Sequence, residues 1–236
     1  MATLNSLDGI LVLDKPAGVS SAGVLNRLKR LLPRGTKLGH AGTLDPFATG
    51  VLLALLGKAT KQCERLMGLP KTYLATVRLR ATTPTLDPES EVTPVDGPTV
   101  TVADVLAALP RFGPPQPRPD GMELEQVPPL FSALKVQGRR SYELARQGQV
   151  WVPEPRRVRV YALELLDVCD PEVTVRLTVG RGYYVRSFAR DLGQALGSAG
   201  YLTRLRREQV GPFAAAQAVA PEQLSAENLC QHVRAV

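Results

Sequence analysis

Gly39-His40-Ala41-Gly42-Thr43-Leu44-Asp45-Pro46-Phe47-Ala48-Thr49-Gly50 runs directly into Val51-Leu52-Leu53-Ala54-Leu55-Leu56-Gly57. The apolar run is short and bounded by glycines, and it reads as a buried strand. The stretch before it carries three glycines and a proline around one carboxylate, Asp45. Glycine reaches backbone angles closed to other residues and proline fixes its own, so such a loop can be sharply shaped. The pattern places an acid at the lip of a sheet. Asp-Pro is also a common turn initiator, and on shape alone Asp45 fits either role.

Working outward, Gly9 to Pro16 reads as a strand that ends in a turn. Ser20 or Ser21 then caps a helix with Val24, Leu28 and Leu31 on its apolar face, Leu25 and Leu32 beside them, and Pro33 as its stop. Arg27, Lys29 and Arg30 fall on the other sides and read as a solvated face. Lys58 to Met67 fits a short helix. Residues 72–80 alternate in period two, with Tyr73, Ala75, Val77 and Leu79 on one face of a half-buried strand. Residues 81–98 read as a loop, Thr101 caps a helix through Leu109, and the proline-rich residues 110–129 read as a stiff surface connection. Ser141 can cap a short helix that Gly148 ends. Two further strands, Arg157 to Val168 and Glu172 to Val179, lead into Gly180-Arg181-Gly182-Tyr183-Tyr184-Val185-Arg186-Ser187. This is a strand-to-helix passage in which Ser187 caps a helix with Phe188, Leu192 and Ala195 inward and Gly197 at its end.

At 236 residues the chain has room for an ample core. Its 29 Lys and Arg outnumber 22 Asp and Glu, a formal charge of +7 that favours polyanionic partners, nucleic acid first. Cys63, Cys169 and Cys230 are scattered and form no CxxC pair, and the only histidines are His40 and His232, so neither a zinc site nor a disulfide scaffold is expected. No signal peptide or membrane-length apolar run is evident, and the expectation is a cytoplasmic protein.

The string Gly39 to Pro46, with Ala48-Thr49-Gly50 after it, resembles the catalytic motif of the TruB family of tRNA pseudouridine synthases. Other segments agree over residues 9–224. Leu13 to Ser21 resembles the family's first motif. Lys71-Thr72-Tyr73 resembles the motif whose tyrosine packs on the target base. Gly182 to Arg186 resembles the motif that supplies Tyr184 beside the base and Arg186 as partner of the catalytic carboxylate. Tyr201-Leu202-Thr203-Arg204-Leu205 resembles the one whose leucine, here Leu202, contacts the uracil. Val127 to Gly148 resembles the thumb segment that grips the RNA; its cations Lys135, Arg139, Arg140 and Arg146, interleaved with Phe131 and Tyr142, suit a phosphate backbone and bases. Arg80 to Asp87 follows the family with two departures: Pro84 stands where an Asp is usual and Ser90 where a Gly is usual. Asp87, the acid that would position Arg186, remains.

The resemblance implies an α+β fold with a large mixed, mostly antiparallel sheet flanked by helices and an RNA-gripping thumb at about residues 127–150. It implies one catalytic domain over 1–236, without the PUA-type domain that often follows in this family. The implied function is isomerisation of the T-loop uridine at position 55 of tRNA. Asp45 and Arg186 are the expected catalytic residues, and His40, Tyr73, Tyr184 and Leu202 the expected substrate contacts. The expected partner is the tRNA T-stem-loop, bound by a monomer away from any membrane. The reaction gains and loses no atoms, so no metal or cofactor is expected. Two other classes fit parts of the chain: a glycoside hydrolase using Asp45 with Asp87, and a non-catalytic tRNA chaperone. The basic thumb and Tyr73 weigh against the first, and intact Asp45, Tyr73 and Arg186 against the second.

Overall fold

The strands come in the order β1 (Gly9–Lys15), β2 (Leu38–His40), β3 (Thr49–Leu56), β4 (Lys71–Leu79), β5 (Ala81–Thr82), β6 (Thr93–Pro94), β7 (Met122–Gln126), β8 (Lys135–Val136), β9 (Arg139–Arg140), β10 (Arg156–Cys169), β11 (Glu172–Val179), β12 (Gly200–Val210), β13 (Phe213–Ala214) and β14 (Val233–Arg234). Helices α1 (Ser21–Lys29), α2 (Cys63–Gly68), α3 (Val102–Ala108), α4 (Val185–Ala195) and α5 (Leu229–His232) are interspersed. The computed structural model describes residues 7–131, 135–136, 139–140 and 153–235. The helix expected from Ser141 to Gly148 lies outside them. The result is an α+β fold with a large, mostly antiparallel sheet. The chain divides into one unit of residues 1–73 and 205–236 and a second of residues 74–204.

In the first unit the strand order is β14-β1-β3-β12, with β2 on β3 and β13 on β12. β1 and β3 pair antiparallel from Gly9↔Leu56 to Lys15↔Gly50, whereas β3 and β12 pair parallel at Arg206↔Thr49 and Arg207↔Gly50. The apolar run is buried on both faces, which is why it does not alternate. Leu52, Ala54 and Leu56 join Leu11, Leu13 and the α1 residues Val24, Leu25 and Leu28 in one core. Val51, Leu53 and Leu55 join Ile10, Val12 and Leu66 of α2 in another. Each such leucine contributes about 1.5–3 kcal/mol by leaving water. Of the two candidate caps, Ser20 caps α1, accepting from the Gly23 N–H, and Ser21 is its first helical residue. Arg27 pairs with Glu222 at 2.9 Å, both side chains about half exposed, an arrangement worth about 0–1 kcal/mol.

In the second unit β4 is followed in order by β11, β10 and β7. Val173, Val175, Leu177 and Val179 of β11 are buried, as are Phe188 and Leu192 of α4. Phe112 meets Phe188 edge to face, with ring centroids 5.6 Å apart.

The local structure departs from the sequence expectations at several places, among them residues 81–98, which read as a loop but contain the antiparallel pair β5 and β6. Lys58 to Met67 is not one helix but a 3-10 turn, Gly57–Gln62, followed by α2. Gly57 has φ +55°, and the Lys58 N–H is taken by Asp8 Oδ1 at 2.7 Å, which anchors the start of the turn outside α-helical geometry. The connection 110–129 contains β7, whose Gln126-to-Met122 register against β10 places it in the sheet. Finally, α4 begins at Val185 rather than after Ser187, with Tyr184 at its N-cap. The Ser187 hydroxyl instead donates to the Val127 carbonyl at 2.8 Å.

Candidate active site

In the first unit, residues 41–48 join β2 to β3 as a hairpin loop. The Ala41 N–H donates to the Leu53 carbonyl at 3.0 Å, and the Ala48 N–H closes a turn on the Asp45 carbonyl at 3.1 Å. Asp45 sits half-buried on this loop. Buried polar side chains hold its neighbours on every side. Ser21 Oγ donates to the Leu44 carbonyl at 3.0 Å and accepts from the Leu44 N–H at 2.9 Å. Lys15 Nζ donates to the carbonyls of Pro46, Val19 and Pro16 at 3.0, 2.7 and 2.8 Å. The Gly18 N–H also reaches the Pro46 carbonyl at 2.9 Å. Arg207 Nη2 donates to Gly42 O at 3.0 Å and its Nε to Val51 O at 2.7 Å.

His40 closes β2, opposite Ala54. Burial, and then the charge of Arg207, hold its imidazole below the usual histidine range. Its Nδ1 is buried without a hydrogen-bond partner, while its carbonyl accepts from Cys63 Sγ at 3.5 Å. Tyr73 is half-buried on β4, two residues after the buried Lys71, whose Nζ donates to the Met67 and Leu69 carbonyls.

The second unit brings Asp87, Tyr184 and Arg186 together. Arg186 is in the first turn of α4, where the helix dipole disfavours a cation. Asp87 offsets this: its Oδ2 lies 3.5 Å from Arg186 Nη1, which also donates to the Thr85 carbonyl at 2.9 Å. Asp87 further accepts from the Thr85 hydroxyl and the Glu89 N–H, so its carboxylate is committed to the loop and to Arg186 rather than to acid–base work of its own.

Ser90 Oγ lies 2.6 Å from Thr85 Oγ1 and accepts from the Thr85 N–H at 3.2 Å. Leu86 is held at φ +60°, a conformation costing a non-glycine residue about 1–3 kcal/mol, and its carbonyl accepts from the Leu202 N–H at 3.1 Å. Leu202 itself is fully buried on β12.

Sequence reasoning missed several of these groups. Gln126 on β7 is buried and acts on the backbone of Tyr184 from both directions: its Nε2 donates to the Tyr184 carbonyl at 3.0 Å and its Oε1 accepts from the Tyr184 N–H at 2.8 Å. Tyr183 beside it is half-buried, and desolvation first, then the charge of Asp191, push its phenol up. Arg207 was hidden in what reads as a surface run of cations. A cleft of about 600 Å³ in the first unit is lined by Arg34, Lys37, Lys58 and Lys61, four cations against one carboxylate, Asp8. Their split between the turn after Pro33 and the start of the 3-10 turn concealed it. Among the described residues no cluster of His, Cys, Asp or Glu could hold a metal ion, and no helix is long and apolar enough to cross a membrane.

The first unit thus holds a carboxylate on a loop fixed by buried cations, and the second a guanidinium and a tyrosine at a helix N-terminus. Residues 29–185 match the model of the TruB family pseudouridylate synthase (N terminal domain), and residues 186–234 that of the tRNA pseudouridylate synthase B C-terminal domain. The chain belongs to the TruB family of tRNA pseudouridine synthases, isomerases that convert uridine to pseudouridine in tRNA. It is 45% identical over 221 residues to tRNA pseudouridine synthase B of Burkholderia mallei (strain NCTC 10247), covering 94% of this chain and 70% of that one. It is 42% identical over 223 residues to the protein of the same name from Bordetella avium (strain 197N), covering 93% and 88%. Among solved structures, a chain of a Cbf5-Nop10-Gar1 complex superposes with a TM-score of 0.69 at 28% identity, covering 92% of this chain. This chain spans only 54% of that one.

Proposed function

We propose that this enzyme converts the T-loop uridine at position 55 of tRNA, with Asp45 as the catalytic carboxylate. The observation that carries this reading is the fixing of the Asp45 loop by Ser21, Lys15 and Arg207 in a chain of this family. Three buried polar side chains are expensive scaffolding for a mere turn.

The reaction breaks the glycosidic N1–C1′ bond, turns the uracil and joins C5 to C1′. The proton on C5 is lost and N1 gains one, so product and substrate are isomers and no cofactor is consumed. A carboxylate serves as nucleophile or base only when ionised, and an arginine partner favours that form. The family pattern assigns that duty to Arg186. Extruding the uridine from its loop costs about a few kcal/mol. Stacking on Tyr73 returns roughly 1–3 kcal/mol. His40, kept neutral, holds the displaced loop; Tyr184 flanks the base and Leu202 supplies an apolar floor.

The thumb at residues 127–150 and the basic cleft of Arg34, Lys37, Lys58 and Lys61 give the phosphate backbone two places to bind. The enzyme works as a monomer in the cytoplasm, as one catalytic domain. The test is incubation with unmodified tRNA transcript and with its isolated T-stem-loop, followed by mapping of pseudouridine. Modification at position 55 of both is expected. Modification elsewhere, or of neither, contradicts the assignment.

A further inference from the structure

Arg207 is among the largest fully buried side chains, and so far it has served only as one of three side chains that hold the Asp45 loop. Its guanidinium donates to three backbone carbonyls: Nε to Val51 at 2.7 Å, Nη2 to Gly42 at 3.0 Å and Nη1 to Thr43 at 3.4 Å. Its backbone lies alongside the far end of the same loop, in the parallel pairing Arg206↔Thr49 and Arg207↔Gly50. Gly50, at φ +102°, is so close that a Cβ there would fall 2.2 Å from the Arg207 carbonyl oxygen. One residue therefore grips the loop where it starts, through its side chain, and where it ends, through its main chain. Asp45 is between the two.

Stability alone does not explain this arrangement. Burying a guanidinium costs several kcal/mol, and a well-packed apolar residue is often as good or better. The partners of Arg207 are neutral carbonyls, which offset that cost less well than a carboxylate would. What they have in common is position: Gly42 and Thr43 stand just before Leu44 and Asp45, and Val51 follows the loop.

We infer that Arg207 is the positioning residue for Asp45, fixing the loop so that the carboxylate is presented in one place. This rests on the assignment of Asp45 above. The charge of Arg207 is felt locally, since it is one of the causes that hold the His40 imidazole low.

The experiment compares Arg207→Lys and Arg207→Met with Asp45→Asn on full-length tRNA. Lysine keeps the charge but has one ammonium where three carbonyls need separate donors. For both Arg207 variants, single-turnover pseudouridine formation should fall on the order of 100-fold, the scale of an ångström-sized misplacement, with tRNA affinity unchanged. By NMR, the His40 titration should stay low in Arg207→Lys and rise in Arg207→Met; a rise in both variants would report lost burial around His40 and overturn the positioning role. Wild-type rates in both variants, with Asp45→Asn inactive, would overturn the role of Arg207 and leave Asp45 standing. An active Asp45→Asn would instead remove the assignment on which it rests. Loss of tRNA affinity alone, or failure of both variants to melt cooperatively, would make Arg207 a binding or folding residue and overturn the inference.

Discussion

Asp87 Oδ2 lies 3.5 Å from Arg186 Nη1, with only 4% and 6% of the two side chains exposed. A buried pair of this kind adds little over apolar packing, but removing one member leaves a buried charge less well compensated. Asp87→Ala should therefore destabilise the protein by about 3–5 kcal/mol, measured by urea unfolding. Asp87→Asn, which keeps the shape and the Thr85 and Glu89 contacts, should cost clearly less. Equal stability of Asp87→Ala and wild type would mean that Arg186 finds water or another acid.

Arg186→Lys keeps the charge but not the planar fork. The Thr85 carbonyl and Asp87 currently share one nitrogen of that fork. Catalysis should fall while tRNA affinity stays, by less than for loss of Asp45. Single-turnover rates beside filter binding separate the two effects; a variant at full rate would show that any cation suffices.

Phosphate contacts release counterions, so each one lost flattens the dependence of affinity on salt. Arg139→Ala with Arg140→Ala in the thumb should weaken tRNA binding and reduce that slope, and Lys37→Ala with Lys58→Ala in the cleft should do the same. Identical slopes in variants and wild type would return these cations to the role of a solvated face.

His40 supplies a pH prediction. Its imidazole is held low by burial first and by Arg207 second. A base with a depressed folded pKa binds more protons when unfolded, so its contribution is complete above the ordinary value of about 6.5 and is lost as pH falls through the lowered one. Urea midpoints taken on either side of that window should show wild type losing more stability on acidification than His40→Gln. Equal losses would indicate that His40 titrates normally.

The Asp45 loop and its strand were legible because their signals are local: glycines, a proline and an unbroken apolar run. The caps at Ser20 and Thr101 were legible for the same reason. β7 was not, because Met122-Glu123-Leu124-Glu125-Gln126 is a short edge strand amid prolines and only its pairing with β10 makes it one. Ser187 has the chemistry of a cap, but the carbonyl of Val127 claims its hydroxyl. Arg207 was invisible in principle. Beside Arg204 and Arg206 it reads as one more surface cation, and only the tertiary fold buries it among carbonyls.

The most direct test of the account is Asp45→Asn, assayed by single-turnover pseudouridine formation alongside filter binding of the same tRNA. Asparagine fills the same space and leaves the contacts of Leu44 and Pro46 with Ser21 and Lys15 in place, but it cannot ionise. Pseudouridine formation should fall below detection while tRNA binding is retained or tightened, since a negative charge near phosphate has been removed. Pseudouridine formation by Asp45→Asn at a near wild-type rate would contradict it.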